Sequence, residues 1–268
     1  MASLEKCVYK DTIRSSNDAF DIIYEDNHII AVVKPQGILS QSDISGDRDL
    51  LTLIKEDIAV RANKPGAAFA GLVHRLDRNT GGTMVFAKTS KGASRLSEQL
   101  RGKKFYKGYF ALAEGKIDFK GGKILTDNLE KDPRTNIVTR SKNGKPCELY
   151  IEVIAKGDNE TLVFAVPITG RTHQIRAQLS LFGHPLKGDV KYGGKELFDK
   201  KGERALGLWS SVVAVKHPVK DEMCVFASVP PSENLWKCFK ESVYRDFCEK
   251  ITCDDNEFKR FTEIKGKL

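Results

Sequence analysis

Asp77 stands in the stretch GLVHRLDRNTGGTMVFAKT, Gly71–Thr89, with His74 and Arg75 just before it and Arg78 directly after it. Adjacent positive charge favours the ionised form of a carboxylate. A carboxylate kept charged is a poor proton donor and suits the work of a nucleophile or an electrostatic stabiliser. The same spacing also fits a loop aspartate tied into a structural salt bridge, and spacing alone does not separate the two.

Two further clusters carry chemistry-bearing side chains. In TGRTHQIRAQL, Thr172 and His173 precede Arg176 by one helical turn. On a helix the three share a face, while Ile175 and Leu179 look toward the core. A polar Thr-His-Arg face at a helix start can hold an anion, or can simply be solvated. In KGYFALAEG, Lys107, Tyr109, Ala111 and Ala113 alternate on one side of a strand. A tyrosine there can stack on a base or handle a proton, or can merely edge the core. The chain has no phosphate-loop, dinucleotide, His-Glu-x-x-His or Gly-x-Ser-x-Gly signature, which removes most nucleotide-dependent, zinc and serine-hydrolase readings.

These residues need elements to position them. Short β-rich runs are predicted at Ile22–Tyr24 and Ile29–Val33, with a turn at Asp26-Asn27 and a stop at Pro35 and Gly37. Leu50, Leu53, Ile54 and Ala59 predict a helix around Asp49–Arg61, broken by Lys64-Pro65-Gly66. The Asp77 stretch reads as strand, turn, strand. A helix follows with Ser90 as N-cap and Ala93, Leu96 and Leu100 as its inward stripe. Strands are predicted in KGYFALAEG, CELYIEVIAKG and ETLVFAVPI. A helix within RTHQIRAQLSLFG should stop at Gly183. Strands at Val212–Val215 and Cys224–Val229 precede a charged, amphipathic tail from about Asn234. Strands dominate and helices are inserted singly, so the fold class is α+β with a mainly antiparallel mixed sheet. No linker is evident, and the chain reads as an N-terminal arm, 1–18, and one domain, 19–268, that includes the charged tail.

The chain has 268 residues, enough to bury a proper core. No apolar run reaches the roughly 18–20 residues that span a bilayer, and the N-terminus lacks a signal-peptide core, so the default location is the cytoplasm. Cys7, Cys147, Cys224, Cys238, Cys248 and Cys253 form no metal-like spacing and read as reduced thiols. The net charge of +8 suggests a polyanionic partner, nucleic acid first.

Taken together, the three stretches resemble the RluA family of pseudouridine synthases. VHRLDRNTGG resembles the family's His-Arg-Leu-Asp motif, KGYFALAEG its Lys-x-Tyr-x-Ala strand, and TGRTHQIRAQLSLFGHPLKGDVKYGG its long third motif. IIYEDNHIIAVVKPQGIL resembles the family's first strands and Lys-Pro-x-Gly turn, and the likeness runs roughly from residue 20 to 232. Relatives often have Ser-Gly where this chain has Gly81-Gly82, and many carry Leu-His-Ala where it has Gly207-Leu208-Trp209. The separate N-terminal RNA-binding domain of many relatives is not expected, because the arm is too short to build one.

The resemblance implies a pseudouridine synthase fold with a central active-site cleft. It implies isomerisation of uridine to pseudouridine in structured RNA, ribosomal or transfer, by a monomer without cofactor, metal or membrane. Asp77 is then the catalytic residue, attacking the nucleotide or removing a ribose proton. Tyr109 lies against the uracil, and Arg176 pairs with Asp77. His74, Arg75, Thr172 and His173 contact substrate, with Arg75 filling the stack that a flipped base leaves. Two rivals stand beside this reading: a catalytically silent RNA-binding module on the same scaffold, and an aspartate-dependent hydrolase of a small substrate.

Overall fold

The computed structural model describes residues 12–63, 65–66, 68–199, 202 and 204–266. The first eleven residues of the expected N-terminal arm, Cys7 among them, and Lys64 of the expected breaker lie outside the described residues. The described chain forms two compact units. The first holds the residues up to Lys107, Ser210–Pro230 and Arg245–Phe261; the second holds Gly108–Trp209, Pro231–Tyr244 and the residues from Thr262 on.

In the first unit, strands run in the order β1 (Ile13–Arg14), β2 (Asp21–Glu25), β3 (Ile29–Lys34), β5 (Gly81–Ala87) and β11 (Leu208–Lys216). β4 (Gly71–Leu72) pairs with β5, and β12 (Met223–Ala227) pairs with β11. The pairs β2/β3, β3/β5 and β11/β12 are antiparallel. β3 and β5 read as unbroken apolar runs because both their faces are covered: every residue of β5 is buried. Ile29, Val85, Leu96, Phe105, Val213 and Phe226 lie at the centre of this core. The turn at Asp26-Asn27 forms as predicted, with Asp26 Oδ1 accepting from the His28 and Ile29 amides at 2.7 and 2.9 Å.

Two helices cover this sheet. α1 (Leu50–Arg61) starts where Asp49 Oδ1 accepts from Thr52 N at 3.1 Å, satisfying one of the amides a helix start leaves open. α2 (Ser90–Arg101) is capped by Thr89 rather than Ser90. Thr89 is the last extended residue, φ −139° and ψ 152°, and its hydroxyl accepts from Gly92 N. Ser90 already lies in the first turn, where its hydroxyl cannot reach that amide.

In the second unit the strand order is β6 (Tyr106–Glu114), β10 (Glu160–Pro167), β9 (Lys145–Lys156), β7 (Gly122–Lys131) and β8 (Val138–Arg140), antiparallel at β6/β10, β10/β9, β9/β7 and β7/β8. The chain leaves the first unit within β6, after Lys107, and re-enters it within β11, after Trp209. α3 (Gln174–Leu181) packs on β9 and β10. The charged tail forms α4 (Glu241–Cys253) and α5 (Asp255–Glu263), which bury Tyr244, Ile251, Phe258 and Phe261. Among the described residues no helix is long and apolar enough to cross a membrane.

Candidate functional site

The segment leading to Asp77 pairs with β5 only at Gly71 and Leu72. Beyond them no ladder continues, and burial alternates: His74 buried, Arg75 exposed, Leu76 buried, Asp77 half-buried. The predicted strand is therefore two residues long. A side chain replaces the missing ladder bond, since the His74 ring accepts from Val85 N through Nε2 at 3.1 Å.

The resemblance implies that His74 contacts substrate; in the structure its ring supports β5 through that bond. The ring is 5% exposed and packs against Phe105 at 4.9 Å between centroids. Accepting at Nε2 leaves its proton on Nδ1, which is buried and meets no partner among the described residues. Burial, aided by the charge of Lys107, lowers its pKa from 6.5 to about 3. His74 is thus a neutral support of β5. Lys107 is itself held below the usual lysine range by burial.

Past Asp77 the chain turns sharply. Thr80 N donates to Asp77 O at 3.0 Å, and Gly82, the second residue of β5, has φ +111°. A Cβ on Gly82 would meet the Ser210 carbonyl oxygen at 2.3 Å, so the second glycine of Gly81-Gly82 is required by close backbone approach. Arg75 projects outward, while the Arg78 guanidinium reaches the Asp47 carboxylate and lies 3.5 Å from the Ser45 hydroxyl. The two arginines that flank Asp77 are thus placed differently.

Lys34 ends β3 beneath this turn. Its ammonium is fully buried and donates to the Pro35 and Arg78 carbonyls, each at 2.9 Å. Burial lowers its pKa from 10.5 to about 7; the negative charge of Asp77 raises it and the charge of Arg78 lowers it. The sequence marked Lys34 only as part of a turn.

The second unit holds the other group. Tyr109, in β6 opposite Ala165 of β10, is 6% exposed. Arg176, in the first turn of α3, makes a two-pronged pair with Asp189, at 2.7 Å through Nε and 2.6 Å through Nη2. Its guanidinium also lies 5.1 Å from the centre of the Tyr192 ring. Tyr192 Oη meets His173 Nδ1 at 2.8 Å and accepts from Val138 N at 3.0 Å. Asp189 and Tyr192 were given no role from sequence. Their signal was the GDVKYGG segment that closes the long third stretch.

The shared helical face expected for Thr172, His173 and Arg176 does not form. His173 adopts a left-handed conformation, φ 50°, just ahead of the first helical residue, and Thr172 is exposed outside the helix. Histidine and Arg176 meet through Tyr192 instead. The helix end is as predicted. Gly183 has φ +90°, its amide donates to Ser180 O and the His184 amide to Leu179 O, both at 2.9 Å, a Schellman closure. Gln174 and Gln178 anchor the buried face through the Glu148 and Leu125 carbonyls, at 2.8 and 3.0 Å.

Among the described residues no three His, Cys, Asp or Glu side chains gather as a metal would need. Comparison with known proteins adds the rest. Residues 28–181 match the family described as RNA pseudouridylate synthase. The chain is 37% identical over 204 residues to the ribosomal large subunit pseudouridine synthase C of Vibrio parahaemolyticus, covering 75% of this chain and 62% of that protein. It is 35% identical over 230 residues to the protein of the same name from Escherichia coli strain K12, covering 82% and 69%. The chain thus spans 62 to 69% of the length of these two curated relatives. It shares the fold of human RNA pseudouridylate synthase domain containing 1, with a TM-score of 0.64 at 21% identity over 82% of this chain and 87% of that one.

Proposed function

Because the chain belongs to the RNA pseudouridylate synthase family, we propose that it converts uridine to pseudouridine in ribosomal large-subunit RNA, with Asp77 as the catalytic carboxylate. The observation that carries this reading is the Asp77 turn: a half-buried carboxylate within the charge field of the buried Lys34, with Arg75 exposed beside it. Both bacterial relatives are named for the large ribosomal subunit, which favours that RNA over transfer RNA and favours the cytoplasm.

In this reading the target uridine is flipped from its stack, since a stacked base is out of reach. The exposed Arg75 guanidinium fills the gap it leaves, a planar group suited to stacking. Asp77 attacks the nucleotide or removes a ribose proton. The glycosidic bond breaks, the uracil turns, and carbon 5 bonds to the ribose. The hydrogen on carbon 5 then leaves as a proton, with Tyr109 helping to take it. Arg176, held in one orientation by Asp189, is the further charged residue assigned to the chemistry. His173 and Thr172 lie on the chain entering α3 and are assigned to RNA contact. The basic surface holds the RNA backbone without reading sequence.

The test is Asp77→Asn, which keeps shape but removes the charge and the nucleophile. Release of the carbon 5 hydrogen from labelled uridine in large-subunit RNA should fall by about 1,000-fold or more, with RNA affinity kept within a few-fold. Substantial turnover in Asp77→Asn would remove Asp77 from the chemistry. Binding without turnover by the unaltered protein would favour the catalytically silent RNA-binding module.

A further inference from the structure

One short segment, Lys34 to Ser40, grips the backbone on both sides of Asp77. On the far side, Arg78 O accepts from Lys34 Nζ at 2.9 Å and Gly37 N at 3.0 Å, and Asn79 O accepts from Gln36 Nε2 at 2.7 Å. On the near side, the Ser40 hydroxyl donates to Leu76 O at 2.7 Å and accepts from Leu76 N at 3.0 Å. Ser40 is 4% exposed. None of these bonds engages the Asp77 carboxylate; all of them act on the main chain around it.

We propose that Ser40 is a positioning residue for Asp77, setting the plane of the Leu76–Asp77 peptide and with it the aim of the carboxylate. The proposal rests on the reading of Asp77 as the catalytic group. The Leu76 carbonyl belongs to the same rigid plane as the Asp77 amide, so a hydroxyl that fixes one fixes the other. A small backbone swing at this peptide carries the whole side chain with it, so the carboxylate oxygens move on the ångström scale. A misplacement of that size costs about 100-fold in rate. The far side of the turn has three bonds from three residues. The near side depends on Ser40 for both groups of Leu76, which is why Ser40 should matter most.

A purely structural hydroxyl would show a different pattern, and the protein contains a matched one. Thr161 Oγ1 accepts from Ile117 N at 3.0 Å and donates to Gly115 O at 2.8 Å, and Thr161 is fully buried. It likewise accepts from one amide and donates to one carbonyl, on residues that are given no role in the chemistry.

The experiment compares Ser40→Ala, Thr161→Val and Gln36→Ala with Asp77→Asn, by single-turnover rate at saturating RNA, RNA Kd and melting temperature, assayed well below every melting transition. Ser40→Ala should lose about 10- to 100-fold in rate with Kd unchanged within about 2-fold. Thr161→Val should lose stability but keep its rate within about 2-fold. Gln36→Ala removes a half-buried loop side chain, should fold, and should lose several-fold in rate; it decides the matter if Ser40→Ala does not fold. A wild-type rate in Ser40→Ala, or equal rate losses in Ser40→Ala and Thr161→Val, overturns the proposal. So does an unchanged rate in Gln36→Ala when Ser40→Ala is unfolded. Activity in Asp77→Asn would instead remove the reading of Asp77 itself, so the two failures are distinguishable.

Discussion

Arg176 closes both prongs of its guanidinium on Asp189, and the Asp189 side chain is wholly buried while that of Arg176 is 13% exposed. A two-pronged pair of this kind holds a guanidinium in one orientation, which a lysine ammonium cannot reproduce. The partners are thirteen positions apart in the chain, and both lie in the second unit.

Asp189→Asn should therefore destabilise the protein by about 3 kcal/mol, the lower end of the range for removing one partner of a buried pair. Arg176 keeps some access to water, which argues for that lower end. Turnover should fall as well, because Arg176 loses its brace. An unchanged midpoint in urea unfolding would contradict the energetic weight given to the pair.

Gly82→Ala should be more damaging than its small size suggests. The residue has φ +111° and its Cβ would press on the Ser210 backbone at 2.3 Å. Gly121, at φ +73° with open space around it, isolates the backbone strain alone. The expected losses are about 3 kcal/mol or more for Gly82→Ala and about 1 kcal/mol for Gly121→Ala. Thermal unfolding of the two variants side by side checks the difference.

Stability should decline in mild acid on account of His74. Its folded pKa, about 3, lies below the ordinary 6.5, so between those values the unfolded chain binds the extra proton. The contribution is complete above pH 6.5 and is lost progressively as pH falls toward 3, at up to about 1.4 kcal/mol per pH unit. His74→Gln should flatten this part of the profile, whatever its stability at neutral pH. Unfolding midpoints from pH 7 to 4.5 measure it; equal slopes in the two proteins would contradict a neutral buried His74.

RNA affinity should fall steeply with salt, since the net charge is +8 and each phosphate neutralised adds about 0.7 to 0.9 to the log–log slope. Arg75→Ala should reduce the slope by less than a full unit if Arg75 stacks rather than pairs with phosphate. Binding isotherms at several potassium chloride concentrations supply the number. A flat response would show that the basic surface does not carry the binding.

What the sequence made legible was local. Asp49 and Gly183 were readable as helix boundaries because a cap is decided within a few residues of itself. The apolar runs Ile29–Val33 and Met84–Ala87 were readable as strands. Boundaries slipped where two neighbouring residues could serve equally, as with Thr89 and Ser90. The orientation of His74 was hidden because its partner, the Val85 amide, lies eleven residues away in the chain and meets it only in the fold. Helical spacing misled at Thr172 and His173 because the left-handed His173 stops the periodicity before it begins. Asp189 and Tyr192 stood in plain view but had no visible partner, since their tie to α3 exists only in the folded second unit.

The grip on the Asp77 turn acts on the carbonyls of Leu76, Arg78 and Asn79 and leaves the identity of the side chains at 78 and 79 out of the contract. Substitution at those two positions leaves these backbone bonds available, while a change at Arg78 gives up its pair with Asp47 and its charge near Lys34. With Asp77 catalytic as proposed, Asn79, held only through its carbonyl in this grip, is then a place to randomise in a library that seeks altered target choice with the backbone of the turn preserved.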